Sequence, residues 1–169
     1  MIQNSFKTKR LLIEPLKISD ADFIFELINT DTWIRFIGDK KIYSFSDAVN
    51  YTELICSSPE RHYWVAIDEK TLKKIGIITV IQRDYLPVAD FGFAFLPEFQ
   101  NSGFGFEATK PVLEFILNQP EFPELLATTM IENRASQKLL IKLGFTFVKE
   151  MIVDNYASYC YSISSEKEN

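Results

Sequence analysis

One stretch, residues 89–117, constrains the fold more than any other, because it changes from strand to helix across a glycine turn. Residues 89–96 form a short apolar run typical of a buried strand, and residues 105–117 have the spacing of a helix. The turn between them carries Gln100-x-x-Gly103-x-Gly105. Glycines allow a ligand to approach the backbone closely, and a helix start carries partial positive charge. The junction therefore predicts a site for a phosphate or pyrophosphate group.

The flanking segments complete an α/β pattern. Further strands are predicted at residues 10–16, 63–67, 74–81, 125–130, 145–152 and 156–163. Further helices are predicted at residues 19–29, 46–57 and 134–143. Residues 30–45 show neither the periodicity of a helix nor that of a strand, and they are expected to form an irregular segment, the lip. Short connections favour antiparallel neighbours, whereas the helix after residue 105 should return the chain as a parallel strand.

Length and composition indicate one domain. A chain of 169 residues with 47% hydrophobic content can bury a large core, so we expect residues 1–164 to form the domain and residues 165–169 a solvated tail. The sequence has no apolar run of membrane-spanning length and no hydrophobic signal core, which predicts a cytoplasmic protein. A net charge of −5 argues against nucleic acid or anionic membranes as partners. Cys56 and Cys160 lack a metal-ligand spacing, so no metal is expected.

Three ordered segments carry a family resemblance. They are Thr8-x-Arg10-Leu11-x-x-x-Pro15-Leu16-x-x-x-Asp20, Asp90-Phe-Gly92-Phe-x-Phe95-x-Pro97-Glu98-Phe99-Gln100-x-x-Gly103-x-Gly105-x-Glu107-Ala108, and Asn133-x-x-Ser136-x-x-Leu139-Leu140-x-Lys142-Leu143-Gly144-Phe145. Together they resemble the GNAT family of N-acetyltransferases, in particular its ribosomal-protein (RimJ/RimL-like) branch. The resemblance implies a single-domain α/β GNAT fold. Its mixed, mostly antiparallel sheet of about seven strands would carry about four helices and split in a V between the strands ending near Leu96 and Met130.

The resemblance also implies acetyl-CoA as the co-substrate, with its pantetheine arm in the gap of the V. Backbone groups near Phe93 and Phe95 would pair with the pantetheine amides, and N–H groups from Asn101 to Gly105 would hold the pyrophosphate. The expected cofactor-binding residues are Phe93, Phe95, Gln100, Asn101, Ser102, Gly103, Phe104, Gly105, Asn133 and Ser136. Family members often carry a cation in this turn, which has none here, so we expect weaker or less salt-sensitive affinity for CoA.

Acetyl transfer to an amine needs a hydrogen-bond donor to the thioester oxygen and a proton for the leaving thiolate. The resemblance implies that a backbone N–H near Phe95 or Leu96 supplies the first. Many family members supply the proton from a tyrosine where this chain has Leu140, and the closer branch suggests Ser136 instead, with Asn133 holding the helix start. Alternatively, Asn133 and Ser136 only cap that helix.

Two carboxylates, Asp90 and Glu132, are candidates for the base that receives the amine's proton, although either can be an ordinary solvated group. Freeing an α-amine at neutral pH costs only about 1 kcal/mol, against roughly 4–5 kcal/mol for a lysine amine. A site without an obvious base therefore favours a peptide N-terminus or an amino-acid-like acceptor. His62 is interpreted as a packed or surface residue. Candidates for the acceptor pocket, with core packing as the alternative, are Trp33, Phe36 and Tyr43.

The sequence thus predicts an N-acetyltransferase that works by direct transfer in a ternary complex, as a monomer or homodimer. The acceptor is expected to be a small-molecule or peptide amine. One alternative is a CoA-binding sensor or interaction module that has lost catalysis, since the tyrosine is missing. The other is a nucleotide-binding protein, although the Lys-Ser/Thr that follows a Walker loop is absent.

Overall fold

The apolar runs of the chain become the strands of one sheet in a computed structural model, which describes residues 4–165. The strands are β1 (Phe6–Lys7), β2 (Leu11–Pro15), β3 (Arg61–Asp68), β4 (Lys74–Ile81), β5 (Asp90–Phe95), β6 (Glu124–Met130), β7 (Thr146–Val153) and β8 (Tyr156–Ser164). The α-helices are α1 (Ala21–Ile28), α2 (Asp31–Phe36), α3 (Phe45–Ser57), α4 (Phe104–Leu117) and α5 (Arg134–Lys142). The predicted α/β class is confirmed, with one more strand and one more helix than expected. Of the predicted tail, residues 166–169 lie outside the described residues.

The sheet has the order β1-β2-β3-β4-β5-β6-β8-β7. Every neighbouring pair is antiparallel except β5 and β6, which run parallel as predicted. That parallel pair has a single paired position, Asp90 opposite Leu126, next to a 3.0 Å hydrogen bond from the Leu126 N–H to the Ala89 carbonyl. Beyond this point the two strands separate, which produces the predicted V-shaped split.

Helices cover both faces of the sheet and create two apolar cores. Alternation along β3 sends Trp64 into the core beneath α4 and Val65 into the core beneath α1 and α3. Both side chains are almost completely buried, and each contributes roughly 1.5–3 kcal/mol to folding through its burial. Within residues 4–165, no helix is both long enough and apolar enough to cross a membrane. The two cores keep the strands fixed on either side of the split.

The lip at residues 30–45 contains a helix, so the prediction of a wholly irregular segment was wrong. Thr30 begins α2 as its N-cap, because its hydroxyl oxygen accepts the Trp33 N–H at 3.3 Å. The chain leaves this helix at Gly38, whose φ of +105° lies in the left-handed region. Six helical residues are too few for the apolar period to register in the sequence. Trp33 is 6% exposed and packs in the core beneath α1 and α3, which is the packing alternative for this residue.

Candidate active site

A cleft of about 900 Å³ opens where β5 and β6 separate, and we refer to it as the cleft. The residues that line it come from β5, from β6, from the starts of α4 and α5, and from the lip. It brings together Trp33, Phe36, Phe93 and Phe95 with Asn133 and Ser136, residues predicted from distant parts of the sequence. Among the described residues, no group of His, Cys, Asp and Glu side chains could hold a metal ion.

The β5 backbone presents hydrogen-bonding groups to the cleft. The Leu96 N–H donates to the Ile75 carbonyl at 2.9 Å and so faces β4. Because successive residues of a strand face opposite neighbours, the backbone groups of Phe93 and Phe95 face the cleft. The side-chain amide of Gln100 donates to the Phe95 carbonyl at 2.9 Å. The Phe95 N–H therefore remains available, whereas the Leu96 N–H, the other predicted donor to the thioester oxygen, is already bonded.

The glycine turn forms a concave group of backbone donors. Asn101 and Gly103 have φ values of +58° and +81°, and such alternation turns successive N–H groups toward one point. Gly103 begins α4, and its carbonyl accepts the Glu107 N–H at 3.1 Å. The N–H groups of the three residues between them have no partner within the helix. At Gly105 a Cβ atom would stand 3.0 Å from Leu139, so glycine allows α4 to pack closely against α5. This geometry suits an anion at the start of α4.

A cation from the beginning of the chain lies against this turn, and sequence reasoning missed it. The Arg10 guanidinium donates to the Ser102 carbonyl at 3.1 Å and stacks 4.0 Å from the centre of the Phe104 ring. Glu107 holds Arg10 in place, because its carboxylate accepts the Arg10 Nε–H at 2.6 Å and the Arg10 backbone N–H at 2.7 Å. It also accepts the Thr8 hydroxyl at 2.7 Å. Residues 100–105 contain no cation, but the folded chain places Arg10 beside them.

Two lysines of α5 add further positive charge to the cleft. Lys138 and Lys142 both line it, and the Lys142 ammonium lies 4.2 Å from the centre of the Phe106 ring on α4. Their spacing of four residues places them on one face of the helix, a signal that the sequence already contained. With Arg10, they place positive charge beside the turn although the turn itself contains no cation, and cations beside a phosphate site increase the dependence of its affinity on ionic strength.

The start of α5 places a free hydroxyl in the cleft. The side-chain oxygen of Asn133 accepts the Ser136 N–H at 3.1 Å, so Asn133 is the N-cap of the helix. The Ser136 hydroxyl has no hydrogen-bond partner among residues 4–165, and both residues line the cleft. Leu140, at the position of the family's tyrosine, is 1% exposed and part of the core. The capping interpretation therefore holds for Asn133, while the Ser136 hydroxyl remains available for chemistry.

Asp90 lies at the base of the split. One carboxylate oxygen accepts the Arg83 Nε–H at 3.2 Å and the other accepts the Thr128 N–H at 3.3 Å, so the side chain joins β5 to β6. Burial raises the pKa of Asp90 to about 6, although Arg83 and the Thr128 N–H oppose the rise. A carboxyl group with this pKa is largely ionised at neutral pH and is basic enough to accept a proton.

The structure does not bring two of the predicted residues into the cleft. Glu132 is 77% exposed at its side chain and forms a 3.5 Å ion pair with the equally superficial Arg35, because it lies in the turn before α5. Tyr43 is 69% exposed, and its hydroxyl donates to the Asp39 carboxylate at 2.6 Å. Neither residue lines the cleft. His62 also lies elsewhere, buried with its ring edge-on to Phe122.

The cleft also extends away from the glycine turn, and this part was missed from the sequence. We call it the acceptor half and define it by six side chains: Lys40, Tyr51, Arg61, Tyr63, Arg83 and Tyr85. Burial raises the pKa of Tyr63, so its hydroxyl stays protonated and can donate a hydrogen bond. Arg61 and Tyr63 alternate along β3 and so share a face, which is the signal that could have revealed them.

Comparison with known proteins supports the architecture. A family model described as an acetyltransferase (GNAT) domain matches residues 10–146. The uncharacterized N-acetyltransferase YnaD of Bacillus subtilis is 25% identical over 169 residues, with 96% of this chain and 98% of that protein covered. The ribosomal-protein-S5-alanine acetyltransferase of Vibrio fischeri superposes with a TM-score of 0.81 at 19% identity, covering 98% and 99% of the two chains. The spermidine N-acetyltransferase of Vibrio cholerae, solved with CoA and spermine, gives a TM-score of 0.81 at 18% identity, covering 95% and 98%.

Proposed function

Because the chain belongs to the GNAT family and is an acetyl-CoA-dependent acyltransferase, we propose that it moves the acetyl group directly to a primary amine bound in the same cleft. One observation carries this proposal: β5 and β6 separate after a single paired position. The separation leaves an unpaired backbone edge that leads into the donor-rich start of α4. CoA matches this arrangement, because the amides of its pantetheine arm can pair with the strand edge while its pyrophosphate lies at the start of α4.

The residues along this edge are suited to acetyl-CoA. The Phe95 N–H and the Phe93 carbonyl can pair with the pantetheine amides as an added strand would. The free N–H groups at the start of α4 can hold the pyrophosphate. The side chains of Gln100 and Ser102 instead shape the turn, since Gln100 bonds to the Phe95 carbonyl and the Ser102 hydroxyl donates to the Phe99 carbonyl at 2.9 Å.

Two groups of the chain would assist the departure of the thiol. The thioester lies at the end of the pantetheine arm away from the pyrophosphate, so the Phe93 N–H, which is further from the glycine turn than that of Phe95, can donate to the thioester oxygen as it gains negative charge. The Ser136 hydroxyl, which has no partner among residues 4–165 and lines the cleft, can donate its proton to the leaving thiolate while it takes up a proton from water in the cleft, so that the thiol leaves and the serine is restored. Asn133 then has a positioning role, because its cap fixes the first turn of the helix that carries Ser136.

We assign the role of base to Asp90. The amine must lose a proton during transfer, and Asp90 is the cleft-lining carboxyl group that is both buried and of raised pKa. Its pKa of about 6 suits an α-amine, which is already partly deprotonated near neutral pH. Glu132 is less suited to this role than Asp90, because it is exposed, ion-paired and outside the cleft lining.

Calorimetric titration with acetyl-CoA, CoA and ATP tests the proposal, followed by release of free CoA thiol against a panel of small amines and N-terminal peptides. We expect acetyl-CoA and CoA to bind, ATP not to bind, and at least one amine to trigger release. ATP binding without CoA binding would contradict the proposal. CoA binding with no release for any amine would instead indicate a CoA sensor, the alternative suggested by Leu140.

A further inference from the structure

The cleft is positively charged although the whole chain carries a net charge of −5. Its six basic side chains are Arg35, Lys40, Arg61, Arg83, Lys138 and Lys142. Its three acidic side chains are Asp39, Asp90 and Asp154. The two lysines of α5 lie beside the start of α4, where the phosphates of CoA would account for them, and Arg35 forms an ion pair with Glu132 at 3.5 Å. Another explanation is needed for the three cations of the acceptor half.

These three cations have few internal partners. Neither Lys40 nor Arg61 forms an ion pair within residues 4–165. Arg83 uses its Nε–H for Asp90 at 3.2 Å, and its two terminal nitrogens make no hydrogen bond in that part of the chain. Both arginines are half-buried. A partly buried guanidinium group without a counter-charge, as at Arg61, is unfavourable unless a ligand supplies the missing anion, and the terminal nitrogens of Arg83 can bind the same anion.

The acidic side chains of the cleft do not supply that anion. Asp90 is bonded to Arg83 and the Thr128 N–H, and the Asp39 carboxylate accepts the Tyr43 hydroxyl and the Lys41 backbone N–H. Asp154 is exposed in the turn between β7 and β8. Burial lowers the pKa of Lys40, the charges of Arg83 and Arg61 lower it further, and Asp154 only opposes these effects. The local field is therefore that of neighbouring cations which repel one another.

We infer that the acceptor is a small amine that also carries a carboxylate or phosphate group, which Arg61 and Arg83 bind while Lys40 adds charge at the rim. This inference rests on the proposed function and names its substrate class. Guanidinium groups suit both oxyanions because their planar N–H groups match the spacing of two oxygens. Because Arg83 contacts Asp90, the proposed base, an anionic group bound by Arg83 would lie close to the reacting amine, as it does in a small molecule that carries both groups. A polyamine such as spermidine, which has no anionic group, would be repelled.

Matched acceptors test the inference. An α-amino acid, its amide and its decarboxylated amine differ mainly in the acid group, and phosphoethanolamine with ethanolamine forms the equivalent phosphate pair. We expect kcat/KM for the better of the two anionic acceptors to exceed that of its neutral partner by about 10- to 100-fold, as expected for charge-assisted hydrogen bonds. Comparison of the two pairs shows whether the carboxylate or the phosphate is preferred. Equal rates for acid and neutral partners in both pairs, or spermidine as the best acceptor, would overturn the inference while leaving acetyl transfer intact.

Variants locate the anion site. Arg61→Gln should raise KM for the anionic acceptor by about 10-fold or more and change KM for the neutral partner much less, and Lys40→Gln should act in the same direction with a smaller effect. Lys41→Gln is the matched control, because it removes the same charge one residue away, outside the cleft lining. If Arg61→Gln affects both partners equally, the anion site is refuted. If no amine releases CoA, the proposed function fails, and calorimetry of the acid and its amide on CoA-bound protein still tests the site, since equal affinities would refute it.

Discussion

Replacing Glu107 by glutamine should weaken both the fold and the cofactor site. Glu107 joins the first turn of α4 to the beginning of β2, since its carboxylate accepts hydrogen bonds from the Thr8 hydroxyl and from the backbone N–H and Nε–H of Arg10. Glutamine keeps one acceptor oxygen but puts an amide NH2 where the second oxygen was. That NH2 would face one of the three donors, so at least one hydrogen bond is lost and one donor stays unpaired.

The size of the effect follows from the exposure of the two partners. A hydrogen bond to a charged group is worth about 1.5–3 kcal/mol, but the Arg10 side chain is 39% exposed and water screens part of that interaction. We therefore expect a loss of about 2 kcal/mol in unfolding free energy. In a chain of this length such a loss lowers Tm by about 4–8 °C.

Replacing Glu107 by glutamine should also weaken CoA binding, because Glu107 holds Arg10 against the glycine turn. Once Glu107 no longer holds it, the Arg10 guanidinium is free to leave the Ser102 carbonyl, and the turn loses one hydrogen bond that stabilises its shape. A net worth of about 0.5–1.5 kcal/mol for that bond corresponds to about 2- to 12-fold weaker CoA binding. Thermal unfolding measures the first effect, and calorimetric titration with CoA measures the second.

Glu114→Gln is the matched control on the same helix. Glu114 forms only a solvent-exposed 3.7 Å ion pair with Lys110, so its replacement should cost less than about 0.5 kcal/mol and leave CoA affinity unchanged. A fall in Tm for Glu107→Gln with unchanged CoA affinity would refute the link between the network and the turn. An unchanged Tm would refute the stabilising role of the network altogether.

The pH dependence offers a second check on the same network. Burial alone would raise the pKa of Glu107, but hydrogen bonds from Thr8 and Arg10 hold it below its usual value of 4.5. A depressed pKa means that the carboxylate stabilises the fold above pH 4.5 and that this contribution is lost as pH falls. Wild type and Glu107→Gln should therefore converge in stability in acid, and a constant difference across this range would contradict the assignment.

Three further predictions follow from the site. Ser136→Ala should lower kcat by about 10²-fold with unchanged CoA affinity by calorimetry, and unchanged kcat would remove Ser136 from the mechanism. Asp90→Asn should abolish an inflection of kcat/KM near pH 6, and persistence of the inflection would exclude Asp90 as the base. Because burial raises the pKa of Asp90 from 3.8 to about 6, the wild type should gain about 3 kcal/mol in stability relative to the variant as pH falls from 7 to below 4. Gly103→Ala should destabilise the protein by about 1–2 kcal/mol and weaken CoA binding, since φ is +81° there, and a normal CoA titration would contradict the role of this turn.

Local patterns were enough to predict much of the fold. The strand runs, the glycine turn and the hairpin between β7 and β8 each depend on residues close together in sequence. At the hairpin, Asp154 and Asn155 both adopt positive φ, a conformation that Asp and Asn tolerate in tight hairpin turns. The helix α2 escaped detection because six residues cover less than two turns. Periodicity therefore reports elements of sufficient length and misses shorter ones.

Part of the candidate site could be predicted from sequence motifs, and part required the folded structure. The positions of Phe93, Phe95 and Ser136 in the cleft follow from motifs that were legible in the sequence. The sequence does not show in which direction a side chain in a loop or turn points. For that reason Glu132 and Tyr43 were expected to lie in the active site, whereas both are exposed to solvent. The choice between the N–H groups of Phe95 and Leu96 also needed the strand pairing.

The sequence by itself determined the elements and the donor-binding junction, because propensity, alternation and turn chemistry act between near neighbours. The tertiary structure alone decided the contacts that join distant segments: Glu107 with Arg10, and the cations of the acceptor half, which come from the lip, β3 and the loop after β4. Charges interact over several ångströms of space whatever their separation along the chain. For that reason the cofactor could be inferred from motifs, whereas the proposal of an anionic group on the acceptor rests on cations that only the folded chain brings together.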